Sequence, residues 1–109
     1  MEETKLISYI VTDFISKSDM RVAEISWQEI ITKYSEKFKK AGALRQTISR
    51  IWDKDNVYRL GHHWEYRDDF AFKECQKIFK LAEKEFKKET GIVWKISSNR
   101  GIIISETKF

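Results

Sequence analysis

Proline is absent from this 109-residue chain, glycine occurs four times and cysteine once. Without proline, no segment is barred from a helix interior or a central strand by a missing N–H. Few glycines mean few forced corners. A lone cysteine, Cys75, excludes an intrachain disulfide and fits a reducing compartment. Long apolar runs are missing as well: none approaches the roughly 18 residues needed to cross a bilayer. The segment from Met1 to Val11 lacks the basic start and apolar core of a signal peptide. The expectation is a cytoplasmic protein with no membrane partner. Phosphate-binding glycine loops, serine-nucleophile motifs and paired-cysteine zinc motifs are also lacking. The sequence therefore points away from an enzyme and implies no cofactor and no metal.

What is present is aromatic and charged. Four Trp, four Tyr and seven Phe are enough for one core, and the length suits one domain over residues 1–109. The net charge of +4 is unevenly spread: residues 26–63 hold eight basic against four acidic side chains, and residues 92–109 three against one. A polyanion partner would leave such a footprint.

The periodicity predicts four helices. Leu6, Ile7, Ile10, Val11 and Phe14 make an apolar stripe on a first helix from Glu2 to Lys17, ended by Ser18-Asp19. Met20–Ile25 reads as a connection, with a brief strand over Arg21–Ile25. Ser26 with Glu29 forms a capping box, and Ile25 with Ile30 a hydrophobic staple, for a second helix. That helix buries Trp27, Ile30, Ile31, Tyr34 and Phe38 and ends at Gly42. From Ala43 to Asp53 a third helix places Leu44, Ile48, Ile51 and Trp52 on one side. The opposite side carries Arg45, Gln46, Ser49 and Arg50, with Thr47 at its margin. Lys54-Asp55-Asn56 is a turn. Val57–Arg67 is ambiguous: Tyr58, Leu60, Trp64 and Tyr66 favour strand, with Gly61-His62 as the turn of a small hairpin. Asp68-Asp69 caps a long fourth helix to about Glu89, striped by Phe72, Cys75, Phe79, Ala82 and Phe86 with Ile78. A C-terminal β-hairpin joins Ile92–Ile96 to Gly101–Ser105 through Ser97-Ser98-Asn99-Arg100-Gly101.

Two stretches carry a resemblance. S-W-Q-E-I-I-T-K-Y-S from Ser26 and A-L-R-Q-T-I-S-R-I-W from Ala43 are similar to the helix-turn-helix of winged-helix DNA-binding domains. The resemblance covers about a third of the chain. It implies an α+β winged-helix-like fold: three N-terminal helices, the long fourth helix and the C-terminal hairpin, with residues 57–67 or 92–105 as the wing. It implies sequence-specific binding of double-stranded DNA by a small transcriptional regulator or accessory factor, associated with the nucleoid. Arg45, Gln46, Thr47, Ser49 and Arg50 would enter the major groove. Lys39, Lys40 and Lys54 would meet phosphates, and Lys95, Asn99 and Arg100 would act from the wing. A homodimer on a palindromic site is the expected assembly. The alternative is a viral or mobile-element module that occupies a host nucleoprotein complex.

Other constellations have plainer readings. His62, His63, Glu65, Asp68 and Asp69 cluster in sequence, and His63, Glu65 and Asp69 would serve a metal-dependent nuclease. Yet neighbouring strand residues point to opposite faces, and the two aspartates suit a helix cap. Cys75 sits on an apolar stripe, where free thiols are inert. Trp27, Trp52 and Trp94 fit buried faces, whereas Trp64 fits either a core or a base-stacking role.

Overall fold

The structure, a computed structural model, describes residues 3–109. Its first element is a strand, β1 (Leu6–Phe14). Six of its nine residues are β-branched or aromatic, and that preference prevails over the helical spacing of its apolar residues. Glu2, where the expected first helix began, lies outside the described residues. Helix α1 (Lys17–Lys33) starts where that helix was expected to stop: the Ser16 side chain accepts a hydrogen bond from the Asp19 N–H at 3.0 Å. The stretch 20–25 is therefore helical, and Ser26 lies inside α1 rather than capping a new helix. The N–H of Tyr34 reaches back to the carbonyls of Ile30 and Ile31, and a short α2 (Ser35–Ala41) follows.

Gly42 ends α2 with φ at 107°, a left-handed conformation that glycine adopts without strain. A Cβ there would also sit 2.6 Å from the Ala71 Cβ. Gly42→Ala is therefore expected to cost about 2 kcal/mol or more, read as a lowered urea midpoint. An unchanged midpoint would show that the turn relaxes freely.

The decisive correction comes next. Ala43–Arg50 is a strand, β2, not a helix. It pairs with β3 (Tyr58–Tyr66), with a register irregularity between Ala43 and Arg45. β3 runs through Gly61-His62 without turning. Gly61 is there because the Tyr9 hydroxyl lies against it, 2.6 Å from where a Cβ would stand. Asp68 caps α3 (Asp69–Thr90) by accepting from the Ala71 N–H at 2.7 Å, and Gly91 closes it in the left-handed region. The expected hairpin is also absent: β4 (Lys95–Ile102) passes straight through Ser97–Gly101, paired along its length with β1.

The described residues thus form an antiparallel sheet of order β2-β3-β1-β4 with the helices on one face. This α+β arrangement replaces the winged helix, because neither a recognition helix nor a two-stranded wing exists in it. The core lies between the layers. Leu60, Trp64 and Tyr66 of β3 and Phe14 of β1 meet Met20, Ala23, Trp27, Ile30 and Ile31 of α1 and Phe38 of α2. Ala71, Cys75, Ile78, Phe79, Ala82 and Phe86 of α3 complete it. Trp52, expected inside, is 89% exposed in the loop before β3.

Candidate functional site

Strand alternation decides where the expected DNA-contacting residues go. Arg45, Thr47 and Ser49 stand opposite Glu65, His63 and Gly61 on the open face of the sheet, whereas Gln46 and Arg50 face the helices. Arg50 is held in a bidentate pair with Glu24 of α1 at 2.6 and 2.7 Å, which draws the Glu24 carboxyl below its ordinary pKa. Lys39 and Lys40 lie in the last turn of α2, and Lys54 is 4.0 Å from Asp53 in the loop. Lys95 and Asn99 join the open face opposite Asp13 and Tyr9, while Arg100 turns to the helix side, 4.8 Å above the Phe72 ring. These residues occupy two faces and several elements. They do not share one helix face, the arrangement that the recognition-helix reading required.

His62 and His63 likewise part. His63 lies on the open face, edge-on to Tyr9 at 6.5 Å. Glu65 is also on that face, and Asp69 opens α3. Among the described residues no group of three or more His, Cys, Asp or Glu converges as metal ligands would. Cys75 is fully buried, and burial pushes its thiol up to about 11, so it is a protonated core residue.

His62 belongs to a different constellation. On the helix side of the sheet, three polar residues occupy inward positions of the two central strands: Ser8 and Thr12 on β1 and His62 on β3, each no more than 3% exposed. The Thr12 hydroxyl and His62 Nε2 are hydrogen-bonded at 3.0 Å. They line a cavity of about 130 Å³ between the sheet and the helices. Trp27, Trp64, Trp94 and Phe79 form its aromatic walls. The Trp27 Nε1 is buried without a hydrogen-bond partner among the described residues. Gln76 and Glu83 of α3, with Ser98 and Arg100 of β4, complete the lining.

Burial sets the chemistry. Desolvation lowers the His62 pKa to about 4, so the imidazole is neutral at physiological pH, with one nitrogen donating and the other accepting. The same cause raises the Glu83 carboxyl above its ordinary value, although the residue as a whole is exposed. The cavity thus offers a neutral imidazole and two hydroxyls inside an aromatic shell, with an arginine among the lining residues.

Sequence reasoning missed Ser8, Thr12, Gln76 and Glu83 and noticed His62 only as a turn residue and a metal candidate. One signal was available. Tyr58, Leu60, Trp64 and Tyr66 alternate correctly for a buried strand face, and His62 sits at the interrupted position.

Comparison with solved structures places the fold. A dimeric ferredoxin-like protein from an uncultured marine organism is 26% identical, with a TM-score of 0.86 over 97% of this chain and 100% of that one. A second dimeric ferredoxin-like protein from an uncultured marine organism is 24% identical, with a TM-score of 0.80 over 96% and 100%. A monooxygenase of Streptomyces coelicolor in complex with nanaomycin D shares the fold at 9% identity, with a TM-score of 0.68 over 96% and 92%. The fold is therefore ferredoxin-like. This overturns the winged-helix resemblance and the sequence-specific DNA-binding function drawn from it. Nucleoid association and transcription regulation lose their basis with it, and no similarity supports a viral or mobile-element module. Among the described residues no helix is long and apolar enough to cross a membrane. No curated protein matches the sequence. Residues 3–103 match the model of the domain of unknown function DUF6974, and the chain belongs to that family.

Proposed function

We propose that the protein is a homodimeric binding protein for a small, flat, largely apolar molecule carrying a hydroxyl or carbonyl group, held in the cavity between sheet and helices. The observation that carries this reading is His62, buried and neutral, bonded to Thr12 in an otherwise aromatic pocket. Placing an imidazole and two hydroxyls at inward strand positions costs free energy that the single Thr12–His62 bond offsets only in part. A ligand that pairs with them offsets that cost. A cavity near 130 Å³ is the size of one ring, since cavities of about 150 Å³ accept benzene. The monooxygenase of Streptomyces coelicolor, which holds nanaomycin D, supports ligand binding on this scaffold and leaves room for catalysis. An enzymatic step at this site would begin with a hydrogen bond from the substrate to His62.

The walls report occupancy. Titration with single-ring phenols and aryl ketones is expected to give saturable quenching of Trp27, Trp64 and Trp94 fluorescence. His62→Leu is expected to weaken the tightest of them about tenfold or more, with the circular dichroism spectrum retained. Absence of saturable quenching by any such compound, or wild-type affinity in His62→Leu, refutes the reading.

The dimer is supported by the assembly of both similar marine proteins and by the uncovered sheet face. Ile7, Tyr9 and Val11 stand there half-buried with no helix over them. Around them lie the Arg59–Asp13 pair, at 2.6 and 3.1 Å, and Arg45–Glu65 at 3.8 Å, so both signs of charge are present. A self-complementary twofold contact suits such a face. Val11→Asp would bury a charge in that contact and is expected to raise the dimer dissociation constant by on the order of a hundredfold. Sedimentation of the variant as a dimer at low micromolar concentration would exclude this face as the interface.

A further inference from the structure

A second concavity lies on the other side of Trp64. It is a groove of about 620 Å³ between the end of α1, α2 and the edge strand β2. Its floor is apolar: Ile31, Phe38 and Trp64 are 6%, 4% and 2% exposed, and the Phe38 and Trp64 rings meet at 4.8 Å. Its charged lining is of one sign. Lys39, Arg45 and Arg67 line it, and among the described residues no carboxylate does. Asp68 lies 3.6 Å from Arg67, and Glu65 3.8 Å from Arg45. Both acids stand outside the groove. Lys39 has no ion-pair partner among the described residues. Gln46 points into the space between β2 and the helices, and its Nε2 is buried with no acceptor among the described residues. A buried amide donor without an acceptor is destabilising by itself, on the order of 1–3 kcal/mol.

We propose that this groove is a binding site for an amphipathic organic anion, a carboxylate with an apolar body. The body would lie on Ile31, Phe38 and Trp64. The carboxylate would accept from Gln46 Nε2 and be neutralised by Lys39 and Arg45. Each feature asks for one half of that molecule. The apolar floor excludes a simple inorganic anion, and the cationic lining with its orphan donor excludes a neutral hydrocarbon. The volume lies within the range of small-molecule sites. Lys39, Arg45 and Gln46, whose positions suggested contact with phosphates and bases, thus meet around an anion of another kind. The site is distinct from the His62 cavity, with Trp64 as the shared wall.

Octanoate is a suitable probe, with octan-1-ol and octyltrimethylammonium as controls of equal chain length. Side-chain amide resonances of Gln46 report the contact by NMR. The site predicts that octanoate binds about tenfold or more tightly than either control and shifts the Gln46 amide. Lys39→Glu should weaken octanoate about tenfold. Gln46→Leu is the sharper test. It should weaken octanoate about tenfold while the melting temperature holds or rises, because it removes a donor that no described residue accepts. His62→Leu should leave octanoate affinity unchanged, which separates this site from failure or success of the cavity. The proposal falls if octanoate binds no better than octanol, or if Gln46→Leu retains affinity. It also falls if the groove resonances shift with protein concentration alone and octanoate leaves them unmoved, since the occupant is then a second copy of the chain.

Discussion

Acidification from pH 6.5 to pH 4 is expected to remove about 3 kcal/mol of stability through His62 alone. In the unfolded chain the imidazole protonates near its ordinary value of 6.5. In the folded protein burial holds it neutral until about pH 4. Between those values the unfolded state binds the extra proton, so unfolding becomes easier as pH falls. The contribution is complete above pH 6.5, is lost progressively below it and changes no further below pH 4. Other groups titrate nearby. The Arg59 guanidinium lowers the Asp13 carboxyl, and Arg50 lowers that of Glu24, so both withdraw stability at more acid pH. Glu83, raised by burial, acts in the opposite direction as it protonates. These terms are common to the wild type and His62→Gln, so the difference between their urea-unfolding free energies, followed from pH 7.5 to 4, isolates the imidazole. Parallel curves would mean that His62 is solvated, and the cavity reading would fail with it.

The polar cavity also explains why the strands were hard to read. In β1 the inward positions are Leu6, Ser8, Ile10, Thr12 and Phe14, so every second buried position is polar. What remains apolar, Leu6, Ile7, Ile10, Val11 and Phe14, spans both faces and mimics helical spacing. The site itself erased the alternation that marks a strand. In β2 the edge position had the same effect: Leu44 is 36% exposed in the irregular stretch between Ala43 and Arg45, so its spacing to Ile48 reflects no common buried face. β4 looked like a turn because its residues are polar, and an outer strand tolerates that when β1 supplies the hydrogen bonds. By contrast α3 was legible from cap to cap. Its stripe serves a single face, and Asp68 and Gly91 close it by local chemistry that tertiary packing does not override.

The last consequence concerns how β4 is kept in place. All of its residues but Gly101 are exposed, so side-chain burial along the strand contributes little to holding it. Trp94, immediately before it, is the anchor. Its ring stacks on Phe86 at 4.4 Å and meets Trp27 at 5.5 Å and Phe14 at 5.9 Å. Phe86 is 1% exposed and also lies edge-on to Trp27. Phe86→Ala would leave a void among three rings drawn from β1, α1 and the approach to β4. The expected cost is about 3–5 kcal/mol, measured by urea unfolding. On the same helix Phe70 is 62% exposed, and Phe70→Ala should change stability by no more than about 0.5 kcal/mol. The two variants separate burial from the mere loss of an aromatic ring. Hydrogen exchange then locates the damage. If Trp94 anchors the strand, amides of β4 should lose protection in Phe86→Ala well beyond those of β3, which keeps its partners on both sides. Equal loss in β3 and β4 would mean that the hydrogen bonds to β1, and not the aromatic anchor, hold the outer strand. Because Trp27 and Trp94 also wall the His62 cavity, loosening β4 should weaken single-ring ligands as well, even though Phe86 does not line that cavity.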